Sequence, residues 1–89
     1  MADIDVRPLR GDTFEVVIDE GSSQSTHLVT ATEKHADLLC NGCDRAQLVE
    51  SSIRFLLDRE PKESIASQFD LDVIATYFPE YVTAIGEYL

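Results

Sequence analysis

Alternation of apolar and polar side chains in the first third of the chain predicts short β-strands. In residues 13–19, TFEVVID, the apolar residues alternate with polar or charged neighbours apart from Val17. Residues 25–31, STHLVTA, are rich in threonine and valine, which are common in strands. The intervening EGSSQS suits a hairpin loop. Residues 3–9, DIDVRPL, predict a third strand at the sheet edge, where a proline is tolerated.

A helical periodicity after Asp44 predicts the main helix, RAQLVESSIRFLLDRE, over residues 45–60. Asp44, with Gln47 three residues later, resembles a capping box. Pro61 ends the helix because its ring clashes with helical continuation. The core-facing stripe consists of Ala46, Val49, Ile53 and Leu56, widened by Leu48, Phe55 and Leu57.

Shorter helices are predicted on both sides of this main helix. Thr32 can cap a helix through about Leu39, which Asn41 and Gly42 would end. Helices are also predicted over PKESIASQF (61–69), over LDVIATYF (71–78) after the N-cap Asp70, and over EYVTAIGEYL (80–89) beyond Pro79.

The order of these elements predicts one α+β domain over residues 1–89. We expect a short antiparallel sheet of two to three strands, followed by the main amphipathic helix and several short C-terminal helices packed on it. A parallel sheet is not expected, since a turn and not a helix joins the predicted strands.

The C-terminal third contains an aromatic cluster, Tyr77, Phe78, Tyr81 and Tyr88, interrupted by Pro79. Core packing is its first interpretation. The second is a contact surface, because tyrosine and phenylalanine are enriched at protein interfaces. If the cluster is a contact surface, Tyr77, Phe78 and Tyr81 are the candidate interaction residues.

The charge of the chain restricts its partners. Seventeen acidic residues against seven basic ones give a formal charge of −10, and residues 63–89 contain neither lysine nor arginine. Nucleic acids and anionic membranes both attract cationic proteins, so neither is an expected partner. Nucleic-acid binding would require a local patch of Arg45, Arg54 and Arg59. The acidity otherwise indicates solubility, a basic partner or a saline host.

The N-terminal MADIDVRPLR lacks the basic start and apolar stretch of a signal peptide, and no apolar run reaches the ~18 residues of a membrane span. We therefore expect a cytoplasmic protein. Cysteines there remain reduced unless they are catalytic, sensing or metal-bound.

Both cysteines lie in the segment Cys40-Asn41-Gly42-Cys43. A thiolate near a helix N-terminus would be a redox nucleophile, although thioredoxin-type motifs follow a strand and use the first cysteine. Zinc binding would use Cys40, Cys43 and perhaps His35, and His27 or Asp44 could complete the site. Zinc normally takes at least three protein ligands, and nothing in the spacing of these residues demands such a site. The favoured interpretation is two small packing residues at a turn between helices.

No catalytic residue and no cofactor are predicted. His27, in a predicted strand, and His35, in a short helix, lack a serine or a third partner at a motif spacing, so structural roles are favoured over general-base catalysis. A non-enzymatic protein is therefore the favoured interpretation.

Residues 51–82, SSIRFLLDREPKESIASQFDLDVIATYFPEYV, resemble a small family of uncharacterised prokaryotic proteins of about this length. In that family a strand pair precedes a helix ending in a phrase like FLLxREPxxSI, followed by FxLxxIxxYFPEY. The resemblance implies no reaction, cofactor or catalytic residue. It does direct attention to residues 59–61 and 77–81, both of which also fit helix breaks.

These observations favour a small protein-interaction domain. It would bind another protein, or a second copy of itself as a homodimer, through the aromatic C-terminal helices or an exposed strand edge. The alternative is a thiol-redox or zinc-binding protein that uses the Cys40–Cys43 segment.

Overall fold

The computed structural model describes residues 2–89 and has the predicted α+β class. The strands are β1 (Asp3–Pro8), β2 (Thr13–Asp19), β3 (Gln24–Thr30) and β4 (Gln68–Asp70). The helices are α1 (Glu33–Cys40), α2 (Arg45–Leu57), α3 (Leu71–Tyr77) and α4 (Tyr81–Ala84), with 3-10 turns at Lys62–Ser64 and Ile85–Tyr88.

The sheet is mixed, with the strand order β1-β2-β3-β4. The first three strands are antiparallel neighbours, as predicted, but β4 pairs in parallel with β3. The expectation of two to three strands without parallel pairing is therefore wrong. The physical reason is that α1 and α2 lie between β3 and β4 in the chain and provide the crossover that parallel strands require.

The segment before Asp70 also differs from the prediction. Residues 61–69 were expected to be helical, whereas only Lys62–Ser64 form a 3-10 turn and Gln68–Asp70 form β4. The main helix ends at Leu57 and not at residue 60, and the predicted C-terminal helix is split into α4 and the final 3-10 turn.

Side chains cap the three longest helices. Thr32 caps α1 in a capping box in which His35 supplies the reciprocal side chain. Asp44 caps α2 by accepting from the Ala46 amide at 3.2 Å, so the expected box with Gln47 does not form. Asp70 caps α3 through the Val73 amide, also at 3.2 Å.

The core lies between one face of the sheet and the helices. Its sheet side is built from alternate residues of the strands and its helix side from the predicted stripe of α2, with further side chains from the C-terminal third. The fully buried side chains include Val16, Ile18, Val29, Leu48, Val49, Ile53, Phe55 and Tyr81. No helix within residues 2–89 has the length and apolar character needed to cross a membrane.

Candidate functional site

Tyr81 is buried in the core and has no surface to offer a partner. Its exposure is 0%, and its hydroxyl lies 2.6 Å from Ser52 Oγ. Because Ser52 donates its only hydroxyl proton to the Leu48 carbonyl at 2.7 Å, Tyr81 must donate to Ser52. This burial agrees with core packing, which was the first interpretation of the aromatic cluster, and gives Tyr81 a structural role.

Burial raises the pKa of Tyr81 to about 12, since an ionised phenolate would lose water without gaining a cation. The Ser52 hydroxyl lowers this pKa but does not outweigh burial, and the charge of Asp72 adds to the increase. Tyr81 is therefore a neutral hydrogen-bond donor at physiological pH.

Phe55 is the centre of an aromatic cluster that fixes the C-terminal helices on α2. Its ring centroid is 5.2 Å from that of Tyr81, 5.8 Å from Tyr88 and 6.0 Å from Phe78, all in edge-to-face arrangements. The Arg59 guanidinium lies 3.7 Å from the Phe55 centroid. Three aromatic side chains and one guanidinium thus contact the Phe55 ring.

A groove runs beside this cluster, and we call it the C-terminal groove. Its volume is about 370 Å³. Eight of its ten lining residues are apolar, and Glu60 and Ser64 are the polar ones. The lining residues are Leu56, Glu60, Ser64, Ile65, Ala66, Phe69, Val73, Ile74, Tyr77 and Phe78. Two of the three predicted interaction residues, Tyr77 and Phe78, therefore lie in one groove.

Tyr77 is the most exposed large apolar side chain of the groove. Its exposure is 76%, whereas Ile74 on the same helix is 2% exposed. Since α3 ends at Tyr77, the ring stands at the point where the helix gives way to Phe78 and Pro79. An aromatic ring in this position provides contact area without holding the fold together.

The groove has one carboxylate in its lining, that of Glu60. Glu60 forms no ion pair with any residue in the range 2–89, while Asp72 contacts His35 and Glu80 contacts Arg59.

The three arginines that a nucleic-acid patch would need are each paired: Arg45 with Asp12, Arg54 with Glu50 and Arg59 with Glu80. Their positive charge is locally neutralised, so they form no basic surface.

An exposed strand edge is the second contact surface predicted from the sequence, and the outer edge of β1 is such an edge. Strand β1 lies at one end of the strand order. It carries the charged residues Asp3, Asp5 and Arg7 and ends in Pro8, which has no amide hydrogen to donate. Charges and proline on an edge strand are features that prevent strand addition. The groove is consequently the better candidate for a contact surface.

Cys40 and Cys43 form a disulfide with their Cα atoms 5.4 Å apart. The two cysteines are partly buried against the core, as the packing interpretation predicts, but they are bonded to each other and are not separate thiols. The physical reason is the turn between them, where Asn41 and Gly42 adopt φ values of 55° and 84° and both amides bond to the Ala36 carbonyl. A crosslink over so short a loop restrains the unfolded chain by only about 2 kcal/mol.

The zinc candidates are not arranged around a common point. Each cysteine sulfur is bonded to the other, and His35 uses Nδ1 to accept from the Thr32 amide and places Nε2 3.1 Å from Asp72. Within the described residues, no group of three or more His, Cys, Asp or Glu side chains is placed to hold a metal ion. His35 instead connects α1 to α3.

His27 has the serine partner that its sequence context did not indicate. Ser25 Oγ lies 2.8 Å from Nε2, and the Ala66 carbonyl lies 2.8 Å from Nδ1. The carbonyl only accepts, so Nδ1 carries the proton and Ser25 donates to Nε2. The sequence signal for this contact was the spacing of two residues between Ser25 and His27, which places both side chains on one face of β3. This pair does not line the C-terminal groove. Since His27 bonds to the Ala66 carbonyl, we assign the pair to fixing β3 against the loop before β4.

A second opening, of about 320 Å³, lies beside the disulfide, and we call it the cysteine opening. Its lining residues are Glu33, Ala36, Asp37, Gly42, Cys43, Asp44 and Arg45. Cys43 is among these lining residues and Cys40 is not.

Comparison of the chain with protein-family models, with curated proteins and with solved structures finds no match.

Proposed function

We propose that this protein is a non-enzymatic interaction domain whose C-terminal groove receives an apolar side chain from a basic segment of another protein. The observation that carries the proposal is the 76% exposed ring of Tyr77 at an apolar groove of about 370 Å³. Grooves of this size that combine apolar walls with a few polar groups are typical of binding sites.

The charge of the protein specifies the kind of partner. The formal charge is −10, and Glu60, which lies in the groove itself, forms no ion pair within residues 2–89. The exposed Glu63 and Asp72 are near the groove residues in the chain and contact Lys62 and His35. Lysine or arginine residues that flank an apolar anchor would complement these carboxylates and accelerate association. A second copy of the chain would bring the same negative charge to the interface, which disfavours a homodimer.

A defined peptide series tests this proposal. The probe is a fluorescent peptide with a central leucine flanked by lysines. One matched peptide replaces the leucine with serine, and another replaces the lysines with glutamates. We expect binding by the first peptide alone, and we expect added salt to weaken it because screening removes the electrostatic contribution. Equal binding of the three peptides would contradict the proposal.

Two variants locate the binding site. Tyr77→Ala should remove most of the affinity, and Glu60→Gln should reduce both the affinity and its dependence on salt. The matched control is Leu38→Ala, because Leu38 is 72% exposed but is not part of the groove. Loss of binding in the control as well, or concentration-dependent dimerisation that Tyr77→Ala abolishes, would overturn the assignment to a basic partner.

A further inference from the structure

The Cys40–Cys43 disulfide lies between the end of α1 and the start of α2, apart from the residues of the C-terminal groove. We propose that Cys40 and Cys43 form a reversible thiol–disulfide pair that exchanges with dithiols of neutral or positive charge, and that Cys43 is the sulfur that reacts with them. This proposal does not depend on the function of the groove.

Access is the first reason for assigning the reaction to Cys43. Both cysteines are partly exposed, but only Cys43 lines the cysteine opening of about 320 Å³. A thiolate must approach the sulfur that it attacks, so the opening determines which sulfur is reached first.

The position of Cys43 relative to α2 is the second reason. Cys43 immediately precedes Asp44, the N-cap of this 13-residue helix. The positive dipole end of α2 favours a thiolate on Cys43 over one on Cys40, which is the last residue of α1, and this makes Cys43 the better nucleophile when the pair is reoxidised. By microscopic reversibility, the sulfur that attacks during oxidation is the sulfur attacked during reduction.

The charge of the cysteine opening selects the class of thiol. Three carboxylates line it, from Glu33, Asp37 and Asp44. Arg45 also lines it, but its guanidinium is engaged by Asp12 and by the Ala31 carbonyl at 3.1 Å. The net negative charge repels anionic thiols such as glutathione and favours neutral or cationic ones.

The exchange balances without a further reactant. A thiolate of the dithiol attacks Cys43 Sγ, the Cys40–Cys43 bond breaks, and its electron pair leaves on Cys40 Sγ, which takes a proton from water. The second thiol of the dithiol, as its thiolate, then attacks the sulfur joined to Cys43, and Cys43 leaves as a thiolate that is protonated in turn. The dithiol loses two electrons and two protons and becomes a disulfide, while the protein gains two thiols.

Reduction of the native protein is the first test. The full-length protein is equilibrated with mixtures of reduced and oxidised dithiothreitol, a neutral dithiol, and its thiols are counted by alkylation and mass measurement. We expect the pair to open and close reversibly with the helical circular dichroism retained, because the crosslinked loop is short. A disulfide that opens only in denaturant, or thiols that do not re-form the bond, would overturn the proposal.

Single-cysteine variants identify the reacting sulfur. Cys40→Ser leaves Cys43 alone, and Cys43→Ser leaves Cys40 alone. We expect Cys43 to react roughly fivefold faster with a neutral disulfide reagent. Equal rates, or a faster Cys40, would contradict the assignment of Cys43.

The charge selection is tested with two thiols of opposite charge. Cysteamine, a cation, should open the disulfide faster than glutathione when rates are compared per thiolate, and added salt should reduce the difference. Asp37→Asn should bring the two rates closer, whereas the matched control Asp3→Asn, on the exposed edge of β1, should not. An unchanged ratio in Asp37→Asn and in high salt would show that these carboxylates do not select the thiol.

Discussion

Tyr77 and Tyr81 are four residues apart in the C-terminal third of the chain, but they have opposite environments. Tyr77 is 76% exposed at the groove, and Tyr81 is 0% exposed with its hydroxyl bonded to Ser52. The break at Phe78 and Pro79 separates them by ending α3 before α4 begins. The aromatic residues predicted as one cluster therefore divide into a buried part around Phe55, which contains Tyr81 and stabilises the fold, and an exposed part, Tyr77, which is free to contact a partner.

The largest effect on stability is expected at the centre of the buried part. Phe55→Ala should lower the free energy of unfolding by about 3 to 5 kcal/mol, because it removes a fully buried ring together with its contacts to Tyr81 and Tyr88. Chemical denaturation measures the change. Phe55→Leu retains part of the apolar volume and should be less destabilising. A near-wild-type Phe55→Ala would contradict the central role of this ring.

A smaller effect is expected for Tyr81→Phe, which keeps the ring and removes the hydroxyl. At neutral pH the free energy of unfolding should fall by about 1 to 2 kcal/mol, because Ser52 loses its donor.

The same variant should change the response to alkali. The pKa of Tyr81 is raised to about 12, so its burial stabilises the fold fully below about pH 10, the pKa of an unfolded tyrosine, and this contribution is lost as the pH rises through the folded value. Denaturation at pH 9 to 12 should thus show a decline that Tyr81→Phe reduces. Tyr77→Phe is the control, and an equal response in both variants would refute the assignment.

Glu80 should make a smaller, acid-sensitive contribution where the chain turns into α4. A backbone hydrogen bond at its own residue, followed by the Arg59 guanidinium at 3.1 Å, holds the pKa of its carboxyl below the usual range. The stabilisation is present above the unfolded pKa of about 4.3 and is lost as the pH falls through the folded value. Acid denaturation of Glu80→Gln should begin from a lower stability and fall less steeply below about pH 5. Glu87→Gln, on the exposed surface, should behave like the wild type.

The smallest effect on stability is expected at the exposed part. Tyr77→Ala should change the free energy of unfolding by less than about 0.5 kcal/mol, because little of its ring is buried. Thermal and chemical denaturation, compared with Leu38→Ala, check this. A large loss of stability would show that Tyr77 holds the fold and would remove the division between the two tyrosines.

Local patterns predicted those elements whose signal lies within the element itself. The alternation in residues 13–19 predicted β2, and the cap residues Thr32, Asp44 and Asp70 predicted the helix starts. Strand β4 was missed because three residues are too few for a periodicity, and Phe69 lies four residues after Ile65, a helical spacing. Its parallel pairing with β3 depends on the crossover through α1 and α2, which no local pattern encodes.

The candidate site was predicted in part for the same reason. Tyr77, Phe78 and Tyr81 share the same apolar signal, but the buried Tyr81 hydroxyl bonds to Ser52, 29 residues away. The disulfide was not favoured because cysteines of a cytoplasmic protein are expected to remain reduced, and because a helix and not a strand precedes Cys40. Ser25 and His27 were two residues apart in a predicted strand, so their contact could have been found from the alternation of faces alone.

The most direct test of the groove as a binding site is a nuclear magnetic resonance titration of isotope-labelled protein with the lysine-flanked leucine peptide. We expect progressive chemical-shift changes confined to groove residues such as Ile65, Val73 and Tyr77. The resonances of Leu38 and of the fully buried Tyr81 should not change. Shifts centred on the edge of β1, or their absence throughout the groove at saturating peptide, would contradict this expectation.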